Sequence, residues 1–160
     1  MGRYEDAKTF GEDLPLGHHY VEFSVLEKSG EPMVEDADKG VKATLKLVDK
    51  TGDSVLANAY FNAKTYGPIK GMLQCFGVDL AVVDGLITPE DDAKIGETTY
   101  PIGLAHKILA TCTGKWGWIE IKPREGYKPQ AAFRKDEPAV KKTAADYPAT
   151  AAPKPDGVPI

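Results

Sequence analysis

The chain has 160 residues, 42% of them hydrophobic and 28% charged, with a formal net charge of -4. That is the size of one domain with one core, and no run approaches the ~18 apolar residues of a membrane span. The opening Met1-Gly2-Arg3-Tyr4-Glu5-Asp6 has no apolar stretch of the signal-peptide kind, and Cys75 and Cys112 are too few for a disulfide framework. The expectation is a cytoplasmic protein with reduced core thiols and no membrane partner.

Residues 1–16 are polar, apart from Phe10, Leu14 and Leu16, and are read as an N-terminal arm. From His18 the pattern alternates, with Val21, Phe23 and Val25 on one side and Tyr20, Glu22 and Ser24 on the other. A period of two is the mark of a half-buried strand. Residues 27–40 are rich in Gly, Glu, Asp and Lys and are expected to form a long mobile connection. A second strand places Val41, Ala43, Leu45 and Leu47 inward and Lys42, Thr44 and Lys46 outward. The turn Asp49-Lys50-Thr51-Gly52-Asp53 joins it to a third, in which Val55, Ala57, Ala59 and Phe61 alternate with Leu56, Asn58 and Tyr60.

The period then lengthens. Ile69, Met72, Leu73 and Phe76 share one face of a short helix, with Pro68 near its start and Gly77 as its stop. Residues 79–97 carry Asp79, Asp84, Glu90, Asp91, Asp92 and Glu97 against Lys94 alone. Within them Thr88-Pro89-Glu90-Asp91-Asp92 has the form of a helix start, so its carboxylates have a structural explanation. Leu104, Ala105, Ile108, Leu109 and Cys112 describe another helix, after Pro101 and before Gly114. The strand Trp116-Gly117-Trp118-Ile119-Glu120-Ile121-Lys122 points Ile119 and Ile121 inward, with both indoles, Glu120 and Lys122 on the other face. Residues 127–134 return as a last strand, with Pro129 at an edge position. From 136 to 160 the chain is rich in Pro, Ala, Lys and Asp, with little to bury, and is expected to be a flexible tail.

If these strands form one sheet, its outer face presents Tyr20, Lys42, Lys46, Tyr60, Trp116, Trp118 and Lys122. Exposed Trp marks a contact surface. Rings interleaved with cations suit single-stranded nucleic acid, because bases stack on rings irrespective of identity while Lys and Arg replace phosphate counterions. Residues 98–135 add a local basic excess through Lys107, Lys115, Lys122, Arg124, Lys128, Arg134 and Lys135 against Glu120 and Glu125. The competing account is that the Trp pair packs beneath the acidic segment or a helix as core.

The order strand, long loop, hairpin, helix ending in Phe76-Gly77-Val78, acidic insert, Thr113-Gly114-Lys115-Trp116-Gly117-Trp118-Ile119-Glu120-Ile121 and closing strand resembles a known family. It is similar to the bacteriophage single-stranded-DNA-binding proteins with an oligonucleotide-binding (OB) fold, from about Leu14 to Arg134. The resemblance implies a mainly β, OB-like five-stranded Greek-key barrel over 17–135 with one or two short helices, no cofactor, and a role in phage DNA replication or recombination in the host cytoplasm. On this reading Tyr60, Trp116 and Trp118 stack bases, and Lys42, Lys46, Lys107, Lys115, Lys122, Arg124, Lys128 and Arg134 meet phosphates. The ending Pro155-Asp156-Gly157-Val158-Pro159-Ile160 is similar in its apolar tip to tails that dock replication proteins, which makes Pro155, Asp156, Val158, Pro159 and Ile160 a candidate partner site. Oligomeric state stays open, homo-oligomers included.

Two other chemistries are compatible with the residues. Glu120-Ile121-Lys122 has the Glu-x-Lys form of metal-dependent nucleases, with Asp79, Asp84, Asp91 and Asp92 upstream as further carboxylates. Segment 79–97 could instead be the contact of a protein-binding inhibitor module. His18 and His19, adjacent on a strand, point to opposite faces, and His106 lies on a helix, so these read as surface residues and no metal site is expected.

Overall fold

The computed structural model describes residues 13–37, 40–97, 99–124 and 126–147. Residues 1–12 of the arm and the candidate partner site at 155–160 lie outside them.

The alternations read above become strands β1 (Gly17–Val25), β2 (Glu27–Lys28), β3 (Glu31–Pro32), β4 (Val34–Ala37), β5 (Gly40–Asp49), β6 (Ser54–Phe61), β7 (Trp116–Arg124) and β8 (Tyr127–Arg134). Every ladder between them is antiparallel. The main sheet runs β6–β5–β1–β7–β8, with β4 lying beside the first half of β5. Among the described residues no ladder joins β6 to β8, so the sheet is not closed into a barrel. Its two free edges nevertheless approach each other, with a groove between them lined by Leu56, Asn58 and Tyr60 on one side and Gln130, Ala132 and Arg124 on the other.

The segment 27–40 departs from the expected loop. Ser29 and Gly30 both take positive φ (55° and 81°), as a tight two-residue hairpin turn requires, and β2 and β3 pair across it. β4 then returns against β5, with Val34 opposite Ala43. At the β5–β6 turn the Asp49 carboxylate accepts hydrogen bonds from Thr51 N–H, Thr51 Oγ1 and Asp53 N–H. Burial raises its pKa, but those three bonds outweigh it and the net shift is downward.

Four helices, where one or two were expected, cover one face of the sheet: α1 (Tyr66–Cys75), α2 (Leu80–Leu86), α3 (Pro89–Gly96) and α4 (Ile102–Cys112). The start of α3 is already marked by Thr88-Pro89-Glu90-Asp91, so α2 is the helix that the sequence pattern did not show, and the acidic segment caps both. Asp79 accepts from Ala81 N–H at the start of α2, and Thr88 and Asp91 form a reciprocal capping box at the start of α3. Gly77 (φ 69°) ends α1, with Gly77 N–H bonded to the Gln74 carbonyl and Val78 N–H to that of Leu73.

Val21, Phe23, Leu45, Leu47, Phe61, Ile119 and Ile121 from the sheet meet Met72, Leu73, Phe76, Leu104, Ile108 and Leu109 from the helices in one core. α1 packs on β6, β7 and β8, and α4 on β1 and β4. Both cysteines are free and buried in this layer. Gly117 lets the end of α1 touch β7, since a Cβ there would stand 2.5 Å from the Cys75 carbonyl oxygen. The Cys75 thiol donates to the Trp118 carbonyl at 3.1 Å.

The tail expected from 136 begins as ordered structure. Residues 136–147 run back over the far side of the sheet and finish in a 3₁₀ turn, Ala144–Asp146, closed by a capping box between Thr143 and Asp146. We call this segment the strap. Composition alone missed it because its attachment is polar, not apolar.

Candidate nucleic-acid interface

Register decides which side chains share the face away from the helices. On β1 and β7, Tyr20 stands opposite Trp118, Glu22 opposite Trp116 and His18 opposite Glu120. On β5 and β6, Lys42 stands opposite Tyr60 and Lys46 opposite Leu56, and Ser24 of β1 faces Lys46. On β8, Arg134 is opposite Trp118 and Gln130 opposite Lys122. Strand alternation therefore sets Tyr20, Lys42, Lys46, Tyr60, Trp116, Trp118, Lys122 and Arg134 on one face, as the sequence pattern required. The indoles do not pack beneath the acidic segment, which folds on the opposite layer.

Tyr20, Trp116 and Trp118 form a continuous aromatic slab. The Tyr20 ring lies 5.5 Å from that of Trp116, nearly parallel, and 5.2 Å from that of Trp118, tilted by 41°. Tyr20 is 48% exposed and both indoles are half-buried, so the slab is open to water on one side. Lys141 of the strap holds its ammonium 5.2 Å from the centre of the Trp118 ring and is itself paired with Glu137 at 3.0 Å.

Beyond Trp118 the face carries an unusual carboxylate. Glu120 is the one charged residue buried among the described residues, at 5% exposure. Its Oε2 accepts a hydrogen bond from the Tyr147 hydroxyl at 2.7 Å, and its Oε1 lies 3.5 Å from His18 Nε2 and 3.7 Å from Arg134. Burial pushes the Glu120 pKa up, but the Tyr147 bond and the charges of Lys122, His18 and Lys142 outweigh it, and the net shift is downward. His18 Nδ1 accepts from Lys142 N–H at 2.8 Å, and its buried Nε2 lies on the Glu120 side of the ring without a hydrogen-bond partner among the described residues. His18 is thus no surface histidine: its side chain is only 5% exposed. His106 is exposed and His19 contacts the Pro15 carbonyl.

The remaining sites expected from sequence fall into two groups. Arg124 and Tyr60 line the groove between the free edges of β6 and β8, so the curl of the sheet brings Tyr60 near the end of β7 although β5 and β1 separate the two strands in the ladder order. Arg124 also donates to the Lys128 carbonyl and stands over the Tyr127 ring at 5.5 Å; Lys128 itself is exposed on β8. Lys107, by contrast, is exposed on α4, in the helical layer, and Lys115 precedes β7 with the parity of the inward residues. Neither joins the aromatic face.

The Glu120-x-Lys122 pair does share this face, but the Glu120 oxygens are turned to Tyr147, His18 and Arg134, and the described residues hold no group of three His, Cys, Asp or Glu side chains placed to hold a metal ion. Sequence reasoning named neither Lys141 nor Lys142, nor Tyr147. The signal was present in Thr143-Ala144-Ala145-Asp146, a capping pattern directly after two lysines. No protein-family model matches the sequence, and no curated protein matches it.

Proposed function

We propose that the outer face of the sheet binds single-stranded DNA with little regard to sequence, in phage replication or recombination. The observation that carries this is the water-facing slab of Tyr20, Trp116 and Trp118 with Arg134 and Lys141 beside it and Lys122 farther along β7 on the same face. Each base stacked on such a ring contributes roughly 1–3 kcal/mol whatever its identity, and the cations add a salt-dependent attraction for phosphate. Lys42, Lys46 and Tyr60, farther round the same face, extend the track toward the β6–β8 groove.

The strand order supports an OB-type reading of the fold. β1, β5, β6, β7 and β8 correspond to five barrel strands in the order of that fold, with the seam between the third and fifth left unpaired and the helices inserted between the third and fourth.

Titration of the intrinsic tryptophan fluorescence with oligo(dT) tests the proposal. Quenching that saturates, weakens with added NaCl and is matched by oligo(dA) and oligo(dC) within a few-fold is the expected result. Trp116→Ala with Trp118→Ala should remove about 2–6 kcal/mol of binding, one stack per ring. Unchanged affinity of that variant, measured by anisotropy, excludes both rings from the site.

A further inference from the structure

Residues 136–147 do more than close the fold. The strap stands off β7 and β8 and encloses with them an open cleft on the outer face, next to Trp118, lined by Lys122, Arg134 and Lys142 together with His18, Glu120 and Tyr147. We infer that this cleft holds the phosphodiester groups of the strand whose bases lie on the aromatic slab, so that the strap is one wall of the binding site. The inference rests on the proposed single-strand reading and adds to it a location, a charge count and a segment of chain.

Three cations face this cleft against one carboxylate. The carboxylate is already engaged: Glu120 takes the Tyr147 hydroxyl at 2.7 Å and lies within 3.7 Å of Arg134. Without Lys142 the lining would set Lys122 and Arg134 against Glu120; with it the cationic excess doubles, and Tyr147 takes up the second Glu120 oxygen. Arg134 keeps 44% of its side chain exposed, and its guanidinium has five donors, of which Glu120 uses few. Lys142 is fixed through its backbone, donating N–H to His18 Nδ1 and accepting from His18 N–H at 3.0 Å. Its ammonium rests 5.7 Å over the Tyr147 ring and projects with no backbone role.

These anchors also separate a wall from a displaceable lid. Gly17 takes a φ of 127°, and a Cβ on it would meet the Lys142 carbonyl oxygen at 2.4 Å. β1 is therefore built to receive the strap at contact distance. The most buried charged group of the described chain has its best hydrogen bond to the strap, so lifting the strap would expose Glu120 to the site. Both features favour a strap that stays in place when a ligand arrives.

The test is anisotropy of labelled oligo(dT) against the full chain over a series of NaCl concentrations. Each phosphate contact on a single strand contributes about 0.7 to the slope of log K against log salt. Lys142→Ala should lower the slope by about 0.7 and weaken binding about five-fold at 0.1 M salt, taking affinities to converge near 1 M; with Lys122→Ala added, about 25-fold. Truncation after Tyr147 should leave affinity unchanged, whereas truncation after Lys135 should weaken it at least as much as Lys142→Ala does. If Lys142→Ala and Lys122→Ala leave slope and affinity intact while the Trp116/Trp118 double variant loses binding, the cleft is refuted and the aromatic face stands. Tighter binding after truncation at Lys135 would make the strap a competitor and overturn the inference as well. A full chain that binds no oligonucleotide at any salt defeats the single-strand reading itself, and the cleft with it.

Discussion

Replacing Tyr147 with Phe removes a single oxygen atom from the contact that fastens the strap. The ring remains, and with it the Lys142 ammonium over its face. What is lost is a 2.7 Å hydrogen bond to an ionised carboxylate that is 5% exposed. Bonds to charged groups are worth about 1.5–3 kcal/mol net. Tyr147 is half-exposed, so water can reach part of the vacated space, and the lower end of that range, about 1.5–2 kcal/mol, is expected. With a urea m-value of about 1–3 kcal/mol/M, the unfolding midpoint at pH 7 should fall by about 1 M. The pH dependence follows from the direction of the Glu120 shift. Its folded pKa lies below the ordinary 4.5, so the stability it contributes is present above that value and is lost as pH falls through the folded pKa. The gap between wild type and Tyr147→Phe should therefore hold steady from pH 7 to about 5 and close in stronger acid. Urea melts followed by circular dichroism across this range provide the assay. A gap under about 0.3 kcal/mol at pH 7, or one that never shrinks as acid is added below 4.5, would show that this bond does not fasten the strap.

Gly17→Ala meets the strap from the other side. Its Cβ would lie 2.4 Å from the Lys142 carbonyl oxygen at a φ of 127°, so it should destabilise by at least about 1–3 kcal/mol and raise amide exchange selectively at His18 and Lys142. Gly117→Ala would drive a methyl to 2.5 Å from the Cys75 carbonyl oxygen; a cost of about 1–3 kcal/mol or more is expected in thermal melts, and a melting point equal to wild type would contradict the close approach of α1 to β7. Burial pushes the Cys75 and Cys112 thiols up to about 11, so neither should react with a thiol reagent at pH 8 in the native protein, while both titrate in urea. Rapid labelling of folded protein would contradict that burial.

The alternating strands were the legible part of the fold. Val21-Phe23, Val41-Ala43-Leu45-Leu47 and Ile119-Ile121 bury one face each, and a period of two leaves little freedom over which side Tyr20, Lys46 or Trp118 takes. The start of α3 was legible for a related reason, because Thr88-Pro89-Glu90-Asp91 carries its cap in its own sequence. The β2–β3 ribbon was not, since Glu27-Lys28 and Glu31-Pro32 are exposed on both faces and offer no hydrophobic alternation. α2 was hidden by the acidic count of its surroundings, although Asp79 is a helix cap. The strap escaped for the deepest reason. It is held by Tyr147 on Glu120 and by backbone bonds at His18, and partners 27 and 124 residues apart leave no local trace. The same distance kept His18 on the surface in the sequence reading when it lies beneath Lys142.

Trp116 and Trp118 are two residues apart on one strand, so their rings emerge at intervals of roughly 6.6–6.8 Å. Successive bases in a duplex are spaced at about half that, 3.4 Å. A polynucleotide laid along this strand could use both indoles on neighbouring bases only if its backbone were drawn out nearly twofold. A single strand can stretch so; a double helix must first unstack. On the proposed reading, the two-residue spacing of the tryptophans thus makes β7 a ruler, admitting one strand and refusing two by pitch alone.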